Sequence, residues 1–114
     1  MIEPRLASSV LVGALLRLAE RDGGFGAVLQ KGDPNAGAVT VILLERGERR
    51  MVLERVVQPD GRYAWQDIGN RGAANEEEFG KFLERRRRFD PDLWLVELDI
   101  ASAERFADEM AGLS

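Results

Sequence analysis

Apolar positions divide the chain into segments of two periods. From about Ser9 to Asp22, Leu11, Val12, Leu15, Leu16, Leu18 and Ala19 fall on one broad helical face, with Arg17, Glu20 and Arg21 opposite. That spacing predicts a surface helix with a core-facing stripe. Ser8 or Ser9 can cap its start, and Gly23-Gly24 stops it. The period then shortens. Phe25 to Lys31 reads as a strand, closed by the turn-forming run from Gly32 to Gly37. In the next strand Val39, Val41 and Leu43 face one way and Ile42 and Leu44 the other, as in a central strand covered on both sides. Arg49 to Val57 alternates Met51 and Leu53 with Arg50 and Glu54, the pattern of a half-exposed strand. After the Pro59-Asp60-Gly61 turn, Arg62 to Gln66 forms a fourth strand with Tyr63 and Trp65 on one face.

Ile68 to Ala74 reads as a loop. Asn75 with Glu78 three residues on is a capping-box pattern, and it opens a helix carrying Phe79, Phe82 and Leu83. Four arginines follow, and Asp90-Pro91 ends the helix. Leu93 to Asp99 is a last strand, apolar on both faces until Glu97, which places Trp94 in the core with Val96 and Leu98. Ser102 caps a final helix with Ala103, Phe106, Ala107 and Met110 inward. The order α-β-β-β-β-α-β-α predicts one α+β domain over residues 1–114: a mainly antiparallel sheet of four or five strands, read as a meander, with three helices packed on it.

Composition narrows the chemistry. With 114 residues there is room for one core, and 45% hydrophobic with 32% charged residues is a folded composition. No apolar run approaches the length of a membrane span, and the start lacks a signal-peptide layout. Together with the absence of cysteine, this leads to the expectation of a cytoplasmic protein. Zero His and zero Cys remove thiol nucleophiles, Ser-His-Asp triads, imidazole catalysis and the usual zinc sites. The chain is therefore read as carrying no catalytic motif, no cofactor and no assigned metal, although carboxylate-and-arginine chemistry stays open. A net charge of −4 gives no general attraction to nucleic acid or anionic membrane.

Two stretches carry a family likeness: the run from Arg88 to Glu97 (Arg-Phe-Asp-Pro-Asp-Leu-Trp-Leu-Val-Glu), and Lys31-Gly32-Asp33 with Gly37-Ala38-Val39. With the helical Ala14-Leu15-Leu16-Arg17, they make the chain resemble the bacterial family called domain of unknown function 1491, from about Leu6 to the last strand. Phe-Asp-Pro-Asp-Leu-Trp is the most specific part. The resemblance implies a one-domain protein without an assigned activity.

Among the charged groups, Arg85 to Arg88 first of all complement the negative end of their helix. Arg86 lies seven, four and three residues from Phe79, Phe82 and Leu83, so it falls on the apolar face and needs an acidic partner. Asp90, Asp92 and Glu97 are the nearby carboxylates, and pairing with one of them would lock this helix to the last strand. The same corner is the candidate ligand or anion site, with Arg86 and Arg87 gripping a carboxylate or phosphate, and Asp90, Asp92 and the loop residue Asp33 around it. The plainer reading of these aspartates is turn chemistry. Tyr63 and Trp65 either pack in the core or anchor a protein interface. Two functions follow: a non-catalytic interaction module binding another protein or itself, a homodimer included, through the sheet edge or the Tyr63/Trp65 face, or a small-ligand or anion-binding protein, an enzyme included, at the Arg86–Asp92 corner. The missing His and Cys tilt the reading to the first and against an enzyme.

Overall fold

The elements form where the periodicity places them. A computed structural model describes residues 6–69 and 75–113. In it α1 spans Ser8–Arg21, β1 Phe25–Gln30, β2 Val39–Glu45, β3 Glu48–Val57 and β4 Tyr63–Asp67. These are followed by α2 over Glu76–Phe89, β5 over Trp94–Asp99 and α3 over Ala103–Met110. A 3-10 turn over Ala111–Leu113, not anticipated from the sequence, extends α3. Of the loop expected over Ile68 to Ala74, residues 70–74 lie outside the described residues.

The five strands make one sheet in the order β1-β5-β2-β3-β4. β2, β3 and β4 form the expected antiparallel meander. The meander breaks between β1 and β2, because β5 inserts there, antiparallel to β1 and parallel to β2. Its sequence explains the position: Trp94, Leu95, Val96 and Leu98 are all buried, so both faces of β5 require cover. β2 at the centre of the sheet has the same character, with Val39 to Leu43 buried without interruption.

Two cores sandwich the sheet. On one face Val41, Leu53, Val96 and Leu98 pack under α1, through Leu11 and Leu15, and under α3, through Phe106 and Met110. On the other face Ile42, Val52 and Leu95 pack under Phe79 of α2. Ile68, which the periodicity leaves in a loop, is only 4% exposed and joins this second core. Its backbone N–H donates to the Val52 carbonyl at 2.7 Å, extending the β3–β4 pairing by one bond beyond β4.

α1 starts one residue earlier than its cap pattern suggests. Neither Ser8 nor Ser9 caps it: the N-cap is Ala7, which makes no side-chain bond. The N–H groups of Ser8 and Ser9 instead donate to the carbonyls of Asn35 and Pro34, at 3.2 and 2.9 Å. The loop after β1 thus supplies the acceptors that a capping side chain would otherwise provide.

Candidate functional site

α2 is built to deliver its C-terminal arginines to the sheet. Asn75 Oδ1 accepts from the Glu78 N–H at 2.9 Å, so the capping side chain satisfies a backbone donor at the start of the helix. Glu76, Glu77 and Glu78 stand at the positive end of the helix and Arg86, Arg87 and Arg88 at the negative end. The stripe of Phe79, Phe82 and Leu83 lies on the second core. One turn further along, Arg86 meets the sheet.

Arg86 has an acidic partner, as its position requires, but a different one from those expected. Its Nη2 pairs with Glu54 Oε1 and lies 3.4 Å from Thr40 Oγ1. Its guanidinium is 5.8 Å from the centre of the Phe82 ring. The pair ties α2 to β3 and β2, and not to β5. The physical reason is register. Thr40 and Glu54 are cross-strand partners on the α2 face, so β2 and β3 together present a hydroxyl and a carboxylate where Arg86 descends. Glu97 also lies on this face, but on β5, between Ala27 of β1 and Ile42 of β2.

The remaining candidates gather at the same end of α2 without forming a chamber. Arg87 Nε donates to Gln30 Oε1 at 3.2 Å, and Gln30 Nε2 donates to the Leu93 carbonyl at 2.8 Å. Asp90 Oδ1 accepts from the Asp92 N–H at 3.2 Å, which organises the turn into β5. Asp33 Oδ2 accepts from the N–H groups of Asn35 and Ala36, at 3.1 and 2.8 Å. The Asp33 carbonyl accepts from Trp94 Nε1 at 2.7 Å, and its N–H donates to the Asp92 carbonyl at 3.0 Å. The Gly32–Gly37 turn and the Asp90–Trp94 corner therefore meet backbone to backbone. A Cβ at Gly32 or Gly37 would overlap the Asp92 carbonyl oxygen, so no ligand-sized gap separates them.

On the far flank of α2, Phe82, Arg85, Arg86, Phe89 and Asp90 line an open cleft of about 380 Å³. Phe89 is 81% exposed there. Among the described residues, no group of three or more carboxylates is placed to hold a metal ion. No helix there is long and apolar enough to cross a membrane.

Tyr63 and Trp65 share the α1/α3 face of β4. Trp65 packs against the first core, and its Nε1 donates to the Met110 carbonyl at 3.1 Å. The Tyr63 ring lies 5.0 Å from the Arg55 guanidinium. Both rings are half-buried.

Two features went unread in the sequence. Gln30 joins α2, β1 and the turn before β5, and the only local sign of it is a polar residue closing an apolar strand. The second is the β1 edge. Phe-Gly-Ala-Val-Leu-Gln carries neither charge nor proline, and Phe25, Val28 and Leu29 are 67%, 41% and 37% exposed. An outer position for β1 becomes visible only once β5 is known to lie inside it.

Residues 6–108 match the family model described as "Protein of unknown function (DUF1491)". The chain is similar to a DUF1491 family protein from Caulobacter crescentus CB15 in a crystal structure, at 33% identity and a TM-score of 0.75 over 89% of this chain and 94% of that one. An NMR structure of a DUF1491 family protein from the same organism matches at 32% identity and a TM-score of 0.75, covering 91% and 94%. The solution structure of an A. tumefaciens protein matches at 33% identity and a TM-score of 0.68, covering 90% and 92%. No curated protein matches the chain.

Proposed function

The chain belongs to the DUF1491 family, proteins of unknown function, and from that premise we propose that it is a non-catalytic interaction module that self-associates through the edge of its sheet. The observation that carries this reading is the β1 edge. An outer strand presents alternate N–H and C=O groups with no partner strand, and natural edges are usually guarded by charge, proline or a covering element. β1 has neither charge nor proline over its six residues, and four of them are exposed. Its one irregularity is a bulge between Val28 and Gln30, which leaves the stretch from Phe25 to Val28 regular.

A second copy is the natural occupant. Two β1 strands related by a two-fold axis pair antiparallel, and each copy offers the same surface to the other. Centring the pair on Ala27 sets Gly26 of one copy opposite Val28 of the other, within the regular stretch of both. The two five-stranded sheets would then run on as one. The absence of His and Cys and the turn-bound state of Asp33 and Asp90 support a role without catalysis.

The test is analytical ultracentrifugation of the wild type beside Ala27→Lys. Ala27 is exposed, so the substitution places an edge-guarding charge without touching the core. The expected result is a wild-type dimer and a monomeric variant with unchanged melting. A wild-type monomer at all concentrations would defeat the proposal.

A further inference from the structure

The groove between α1 and the α3–3-10 segment lies on the opposite side of α1 from the sheet edge. Its floor is the half-buried Ala14, Leu18 and Leu113, and its rims carry the exposed Arg17 and Arg21 on the α1 side and the exposed Glu109 and Gly112 on the other. It encloses about 510 Å³ and is open to solvent along one side. Leu18 and Leu113 are half-buried against the first core, so the floor is fixed by the fold and not by flexible side chains. Both arginines are exposed, and among the described residues neither forms an ion pair. On a chain of net charge −4 this is a local basic rim beside an apolar floor.

We infer that this groove is a docking site for an acidic amphipathic helix of a partner protein. Three features select that occupant. An open groove leaves one side of its guest in water, so the guest needs a polar face as well as an apolar one. The span from Ala14 to Arg21 is about 10 Å at 1.5 Å per residue, two helical turns, which suits apolar anchors at i, i+4 and i+7. Arg17 and Arg21 are four residues apart, the spacing at which two carboxylates line one flank of a facing helix. Glu109 on the other rim sets the guest's orientation, favouring a basic residue on its opposite flank.

The experiment is a titration of the full chain with a synthetic helical peptide of about four turns, bearing leucines at i, i+4 and i+7 and glutamates along one flank. Amide chemical shifts locate the contact and fluorescence anisotropy measures its strength. Saturable binding with shifts centred on Ala14, Leu18, Gly112 and Leu113 is expected. The double variant Arg17→Glu/Arg21→Glu, altered only at exposed positions, should bind roughly tenfold more weakly through loss of two exposed ion pairs. A peptide with lysines in place of the glutamates should recover binding to that variant. Equal affinity for wild type and double variant, or shifts centred elsewhere, would overturn the inference. Decanoate reproducing the shift map and displacing the peptide would also overturn it, reassigning the groove to small fatty carboxylates. Ala27→Lys should bind the peptide as the wild type does, so this outcome is independent of the edge-pairing reading.

Discussion

Arg86 shows how one residue's energetics depend on where its partner comes from. Its side chain is 27% exposed and that of Glu54 22%, so the pair lies between a solvated surface bridge, worth little, and a buried one. Beneath it Thr40 is 1% exposed. Removing Arg86 leaves a partly desolvated carboxylate beside a buried hydroxyl. Arg86→Ala should therefore lower unfolding stability by about 1–3 kcal/mol. Glu54→Ala should do much the same, and the double variant should be no worse than their sum. A double-mutant cycle by urea denaturation should show a coupling on the order of 1 kcal/mol between Arg86 and Glu54. It should show none between Arg86 and Asp90, whose carboxylate serves its own turn. Helical periodicity was enough to show that Arg86 needs an acid. It could not show which one, because Glu54 is 32 residues upstream and reaches Arg86 through strand pairing.

At the scale of elements, α1 and α2 solve the same problem in different ways. A helix start leaves backbone N–H groups without partners. α2 meets this locally, with Asn75 three residues before Glu78, and the pattern is readable in the sequence. α1 meets it through the Pro34–Asn35 loop, while Ser8 is turned inward. Ser8 is fully buried, and its Oγ donates to the Gly37 carbonyl at 2.5 Å. The substitutions should separate accordingly. Asn75→Ala should cost about 1 kcal/mol as a lost cap. Ser8→Ala should cost about 1–2 kcal/mol, because it leaves the buried Gly37 carbonyl without the hydroxyl that donates to it. Ser9→Ala should be close to neutral, since the Ser9 side chain is exposed and its N–H bond to Pro34 survives. Thermal unfolding of the three variants checks the ranking. If Ser9→Ala were the most damaging, the loop-capped start of α1 would be wrong.

For the whole molecule the decisive feature is the insertion of β5. A strand from the end of the chain lies between two from its first half and pairs with both. Local stability should follow that position. In native-state hydrogen exchange the slowest amides should be those of β5 and β2, which are hydrogen-bonded on both sides and buried between two cores. The outward amides of β1 and β4 should exchange faster. Raising protein concentration should slow exchange in β1 and leave β4 unchanged if the sheet edge pairs with a second copy. Equal slowing of both edges would point to general crowding instead.

Periods of 3.6 and 2 along the chain, with a few turn and capping residues, determine the elements, the α+β class and the two-faced burial of β2 and β5. These are local properties, set by neighbours a few residues apart. The absence of His and Cys limits the chemistry in the same direct way. The tertiary structure alone decides that β5 displaces β1 to the edge, that Glu54 receives Arg86, and that loop carbonyls cap α1. Each of these joins residues distant in sequence through strand register or backbone contact. A one-residue change of register would reverse the faces on which those residues meet.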